Sequence, residues 1–118
     1  GNMDPTYGKY CGKNYTGGKV GGYDTSQKGV DVFDEACRQH DIVYQKHADA
    51  NNWDADLKLA AQTLIRTWSD DCAKLNPWEK AYVGSMWRAM ALKGLAKMPL
   101  TQPLFGDHKA KNLVREAP

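Results

Sequence analysis

The stretch that decides the fold is Asp31-Val32-Phe33-Asp34-Glu35-Ala36-Cys37-Arg38-Gln39-His40-Asp41-Ile42-Val43-Tyr44. Wound at about 3.6 residues per turn, it places Phe33, Cys37, His40 and Tyr44 at i, i+4, i+7 and i+11, along one side of a helix. Val32, Ala36 and Val43 add apolar positions. Asp31 or Asp34 suits the N-cap, and the helix dipole favours acids in a first turn. The spacing predicts a helix running to about Ala48, with His40 on or beside the buried face. Asp41 follows directly and diverges from His40 by roughly 100° around the axis. Adjacent positions thus present a base that titrates near neutral pH and a hard anionic oxygen ligand in different directions.

Outward from this helix the chain changes character on both sides. Residues 1–30 are rich in Gly, Tyr, Lys, Asn and Thr, hold no period, and read as loop with Gly17-Gly18 and Gly21-Gly22 as the sharpest bends. Downstream, Asn51-Asn52 can turn the chain into a second helix from about Asp54 to Cys72, whose apolar stripe is Leu57, Ala60, Ala61, Leu64, Ile65, Trp68 and Cys72. Asn76-Pro77 breaks that helix and starts a third, to about Lys97. Pro99, Pro103 and Gly106 end regular structure, and the tail to Pro118 is expected to be polar and mobile. No strand is expected. The predicted class is all-α, with three main helices, the first two antiparallel, behind a glycine-rich N-terminal loop.

At 118 residues a single domain is expected. Residues 1–9 are assigned as a leader that opens on an expression remnant, Gly1-Asn2 ahead of Met3; 10–98 form the folded region and 99–118 the tail. A hydrophobic content of 42% with 25% charged residues is ordinary for a globular protein. No apolar run approaches the roughly 18–20 residues of a membrane span, and no signal peptide is seen. The net charge of +2 is unevenly spread: residues 1–71 hold 8 Lys/Arg against 11 Asp/Glu, and residues 72–118 hold 8 against 3. The basic second part suits a phospholipid surface, a nucleic acid, or simply a solvated face. Three cysteines, Cys11, Cys37 and Cys72, permit one bridge and leave one thiol. A zinc site at Cys37-x-x-His40 lacks the second ligand pair that a tetrahedral set needs.

An imidazole acts as a general base when a carboxylate fixes its tautomer. Asp56, one turn into the second helix, is the candidate to lie opposite His40, with Asp54 at the expected cap as the alternative. A helical His facing an Asp is also a common structural pair. For Asp41 the matching chemistry is calcium, which takes six to eight oxygens, many of them loop carbonyls. Tyr10-Cys11-Gly12-Lys13-Asn14-Tyr15-Thr16-Gly17-Gly18 is a loop in which glycines let carbonyls converge. In the third helix Trp78, Tyr82, Val83, Met86, Trp87 and Met90 alternate with Lys80, Arg88, Lys93 and Lys97. That mixture fits a core helix with a basic outer face, and equally an interfacial one. His47 and His108 are read as surface residues.

Together YCGKNYTGG (10–18), DVFDEACRQHDIVY (31–44) and Ala55-Asp56 resemble the phospholipase A2 superfamily, with its calcium loop of the type Y/W-C-G-x-G and its helix of the type D-x-x-D-x-C-C-x-x-H-D-x-x-Y. Asp31, Asp34, Cys37, His40, Asp41 and Tyr44 are in register, and Ala36 stands where many secreted members have another cysteine. The short path from His40 to Asp56 has no room for a β-wing, so the chain is most similar to the minimal form found in the unique N-terminal region of the parvovirus capsid protein. The resemblance covers residues 10–62.

The resemblance implies calcium-dependent hydrolysis of the sn-2 ester of glycerophospholipids at a membrane surface, by a secreted or virion-associated domain. Separately, a monomer is the default expectation, and no nucleic-acid partner is expected, since only the basic second half favours one. His40 would deprotonate water, Asp56 would orient His40, and Tyr44 would hydrogen-bond within this pair. Calcium would sit on Asp41 and the carbonyls of Tyr10, Gly12 and Asn14, with the Gly12 amide donating to the oxyanion. A Cys11–Cys37 disulfide is implied too, leaving Cys72 as a buried free thiol. No G-x-S-x-G elbow competes with the histidine as the centre of ester chemistry. Asn14 stands where the family has glycine, and asparagine tolerates left-handed backbone better than most residues. The path from Cys11 to His40 is longer than in most secreted members, with the additional residues around Lys19 to Gly29. Asn14 and this longer loop motivate a second reading, a lipid- or protein-binding module without calcium.

Overall fold

Asp31 starts the first helix: its side chain accepts the Asp34 amide at 2.9 Å, and Asp34 and Glu35 fill the acidic first turn. The structure, a computed structural model, describes residues 4–100. In chain order its elements are β1 (Tyr15–Thr16), β2 (Lys19–Val20), α1 (Val32–Lys46), α2 (Trp53–Arg66), α3 (Asp70–Ala73) and α4 (Pro77–Lys97). The described part is therefore mostly helical, with one small sheet. The expected expression remnant at Gly1-Asn2, the tail from 101 onward and His108 lie outside the described residues.

α4 has the predicted bounds because both of its signals are local. Asn76 and Glu79 form a reciprocal capping box and Pro77 occupies the first turn, where its missing N–H costs nothing. α2 is shorter than expected and ends at Arg66. There the Thr67 hydroxyl bonds back to the Leu64 carbonyl at 2.6 Å and the Ser69 hydroxyl to the Arg66 carbonyl at 2.7 Å. Such bonds offer carbonyls an alternative to the helical ladder, and the chain turns into the separate helix α3. Among the described residues four helices thus stand where three main ones were expected. Trp68 is 80% exposed and Ile65 65%, so neither belongs to a buried stripe. The buried side of α2 runs through Ala55, Asp56, Leu59, Ala60 and Thr63, because α2 packs against α1 on one side and α4 on the other. Cys72 is a free thiol on α3, only partly buried, and it leans on the core.

A hairpin also replaces part of the expected loop. Tyr15 pairs with Val20 and Thr16 with Lys19, and the turn between them has φ of 65° at Gly17 and 79° at Gly18. Two consecutive positive φ values are what a two-residue hairpin turn needs, and glycine accepts them without strain. Strands of two residues are too short to show alternation in sequence.

The core gathers Tyr7, Tyr10, Cys11, Phe33, Ala36, Cys37, Leu59 and Val83, so loop, α1, α2 and α4 all contribute. α4 lies close on the start of α2: a Cβ at Gly94 would stand 2.7 Å from Leu57 Cδ2 and 3.0 Å from the Trp53 carbonyl oxygen. This makes α4 a core-packing helix. Among the described residues no helix is long and apolar enough to cross a membrane.

Candidate active site

The N-terminal loop is fastened to α1 by covalent and polar ties. Cys11 and Cys37 form a disulfide, closing 26 residues of sequence separation. Three residues before Cys37, the fully buried Asp34 accepts amide N–H bonds from Lys9, Tyr10 and Val30, each at 2.9 Å. A buried carboxylate with three backbone donors is well compensated and fixes the loop's path. Gly8 leaves the room: a Cβ there would meet the Asp34 carboxylate at 2.3 Å. Farther along, Asn14 takes a left-handed φ of 51°, and the Gly21 amide donates to its carbonyl at 2.6 Å. The segment after the hairpin runs back along α1, where Arg38 donates to the Thr25 carbonyl at 2.8 Å and Gln45 to the Tyr23 carbonyl at 3.1 Å.

His40 and Asp56 meet across α1 and α2. His40 Nε2 lies 2.8 Å from Asp56 Oδ1, and the Tyr44 hydroxyl donates to the same oxygen at 2.6 Å. With Asp56 ionised, Nε2 carries the proton and Nδ1 keeps its lone pair. Burial alone would raise Asp56, but His40, Tyr44, Lys93 and Lys97 outweigh it and hold the carboxyl below its ordinary range. Lys97 Nζ is 3.0 Å from Asp56 Oδ2, and Lys93 Nζ is 3.9 Å from Oδ1. Burial opposes a charged His40, yet Asp41 and Asp56 prevail and its affinity for a proton is raised. The Tyr44 phenol is pushed up by burial and by its bond to Asp56.

Asp41 leaves the helix toward the loop. Its Oδ2 accepts the Thr16 hydroxyl at 2.8 Å, so the hairpin ends on this carboxylate. Its Oδ1 stands 3.9 Å from His40 Nδ1, beyond hydrogen-bond distance. Burial raises the Asp41 carboxyl above its ordinary range, with Thr16 and His40 compensating only in part. A cleft of about 1540 Å³ has Tyr10, Gly12, Asn14, His40, Asp41 and Tyr44 in its lining. Leu59, Tyr82, Met86 and Met90 line it as well.

The structure therefore brings His40, Tyr44 and Asp56 into one hydrogen-bonded group. Asp41 and the loop residues Tyr10, Gly12 and Asn14 all line the one cleft. Asp54 is exposed and its carboxylate accepts the Ala55 amide at 3.0 Å; Asn52, not Asp54, is the N-cap of α2. His47 is an exposed C-cap. Three contributions were not foreseen. Asp34 supports the loop, Thr16 anchors the hairpin, and Lys93 and Lys97 turn inward onto Asp56 instead of forming a basic outer face. Asp34 belongs to the quoted D-x-x-D run, but the lysines carry no local signal, since their partner is about forty residues away. No protein-family model, no curated protein and no solved structure matches this chain, so the functional reading rests on the site itself.

Proposed function

We propose that this protein is a calcium-dependent phospholipase A2 that hydrolyses the sn-2 ester of glycerophospholipids. The observation that carries the reading is the His40–Asp56 bond at 2.8 Å, with His40 lining a cleft whose other lining residues include Leu59, Met86 and Met90. Asp56 takes Nε2–H, which leaves Nδ1 free to accept a proton from water. The water oxygen then adds to the ester carbonyl carbon, and the imidazolium returns the proton to the departing glycerol oxygen. Lysophospholipid and a fatty acid are the products. Tyr44 holds Asp56 in the orientation that keeps this tautomer.

The oxygen donors that the cleft lining offers suit a hard cation. They are one carboxylate and three loop carbonyls, all oxygen, which is calcium's preference. Among the described residues no hydrogen bond is made to the carbonyls of Tyr10 and Gly12, whereas that of Asn14 already accepts Gly21. Gly12, at φ 145°, has a backbone that only glycine adopts readily, and Asn14 reaches the left-handed region. The burial that raises Asp41 is a cost that a bound cation would relieve. No set of three His, Cys, Asp or Glu side chains gathers among the described residues, so the reading depends on backbone oxygens. Calcium held there would supply a positive charge against the ester carbonyl oxygen.

A competing reading is a lipid-binding module without chemistry, favoured by the Asn14 carbonyl's bond to Gly21. Vesicles carrying a fluorescent sn-2 chain separate the two. The enzyme releases fatty acid in millimolar calcium, loses that activity in chelator and loses nearly all of it in His40→Asn. Vesicle binding without release would establish the module instead.

A further inference from the structure

We propose that Lys97 is a positioning residue of this site, gripping Asp56 through Oδ2 so that Oδ1 stays presented to His40 and Tyr44. The proposal rests on the reading of His40 as the base. Its grounds are the unequal treatment of the two carboxylate oxygens. Oδ1 takes both His40 and Tyr44, at 2.8 and 2.6 Å. Oδ2 is buried and has no hydrogen bond of ordinary geometry among the described residues, but the Lys97 ammonium faces it at 3.0 Å. A carboxylate held through one oxygen swings easily about its terminal torsion, where the energy wells are broad. A second hold on the other oxygen removes that freedom. The same ammonium donates to the Tyr44 hydroxyl at 3.1 Å, closing a triangle of Lys97, Asp56 and Tyr44.

The end of α4 is built to deliver this contact. Gly94, one turn before Lys97, lets the helix approach Leu57 and the Trp53 carbonyl more closely than a Cβ would allow. The Asn51 side chain donates to the Lys97 carbonyl at 2.8 Å, tying the helix end to the α1–α2 connection. Lys93 is a weaker hold, since its ammonium is 3.9 Å from Asp56 Oδ1 and stacks over the Tyr44 ring at 4.9 Å. An ion pair that merely docked α4 would affect stability alone. A positioning residue also affects turnover.

The test compares Lys97→Met, Lys97→Arg, Lys93→Met and the milder Asn51→Ala with wild type. It reads kcat and KM on phospholipid mixed micelles in calcium, thermal melting, and the titration of the Asp56 carboxyl by carbon NMR in calcium-free protein. Lys97→Met is expected to lower kcat by about tenfold or more at an unchanged KM, as slight misplacement of a reacting group does. Lys97→Arg should recover most of it, and Lys93→Met and Asn51→Ala should lose less. In Lys97→Met the Asp56 carboxyl should titrate at higher pH. A folded Lys97→Met with wild-type kcat overturns the proposal, as does an unchanged Asp56 titration. Should wild type itself fail to hydrolyse the substrate, the enzyme reading falls, and the Asp56 titration still decides whether Lys97 grips that carboxylate.

Discussion

Tyr44 is where the chemistry of single residues is most exposed to test. Its hydroxyl donates to Asp56 Oδ1 at 2.6 Å and accepts from Lys97 at 3.1 Å, so it joins an anion to a cation. Tyr44→Phe keeps the ring beside His40 but removes both bonds. A hydrogen bond to a charged group is worth roughly 1.5–3 kcal/mol, and urea denaturation should show a loss of that order. Activity should fall about tenfold, not vanish, because the His40–Asp56 bond remains. A variant as inactive as His40→Asn would mean that Tyr44 acts on the substrate directly. The pairing of His40 with Asp56 was legible because both sit on helices joined by one short connection, whereas the part of Tyr44 came from the resemblance alone. Lys97 was not, since the approach of α4 depends on an absent side chain at Gly94, which no local pattern records.

At the scale of elements, the loop is held by three independent ties: the Cys11–Cys37 bridge, the amides on Asp34 and the Thr16 hydroxyl on Asp41. Chain-entropy reasoning for a closed loop of this length predicts that replacing both cysteines by alanine costs roughly 3 kcal/mol. Guanidinium unfolding measures it, and a loss below about 1 kcal/mol would show that the Asp34 amides suffice alone. Asn14 gives a finer test. At φ 51° alanine would be strained by about 1–2 kcal/mol and glycine would not, so Asn14→Ala should melt earlier than Asn14→Gly. Equal melting temperatures would deny that this backbone matters. The elements differ in how openly the sequence announces them. α4 begins with its own capping box and proline, and its bounds could be read directly. α2 ends where two hydroxyls compete for carbonyls, and its buried face is chosen by two neighbours at once. Periodicity alone carried neither.

For the whole molecule, the site places opposing demands on stability, and pH separates them. Asp56 is held below its ordinary range by His40, Tyr44 and the two lysines, against the effect of burial. Its contribution is present above the unfolded value and is lost as pH falls through the folded one. His40 is raised by Asp41 and Asp56 against burial, so its contribution is complete below 6.5 and is lost as pH climbs through the folded value. Asp41 is raised by burial, so the folded state favours its neutral form, and ionising it costs stability as pH climbs above 3.8. Once His40 is also neutral, the calcium-free protein retains an ionised carboxylate whose one hydrogen-bond donor among the described residues is the Thr16 hydroxyl. Asp41→Asn keeps an acceptor for that hydroxyl and removes the charge. In chelator it should therefore melt higher than wild type, by roughly a few degrees, with a larger gain at pH 8 than at pH 6. In wild type, millimolar calcium should recover the same stability by binding the folded state, and in Asp41→Asn it should do so far less. If Asp41→Asn melts lower than wild type at pH 8 in chelator, Asp41 serves the fold and the cation reading loses its physical basis.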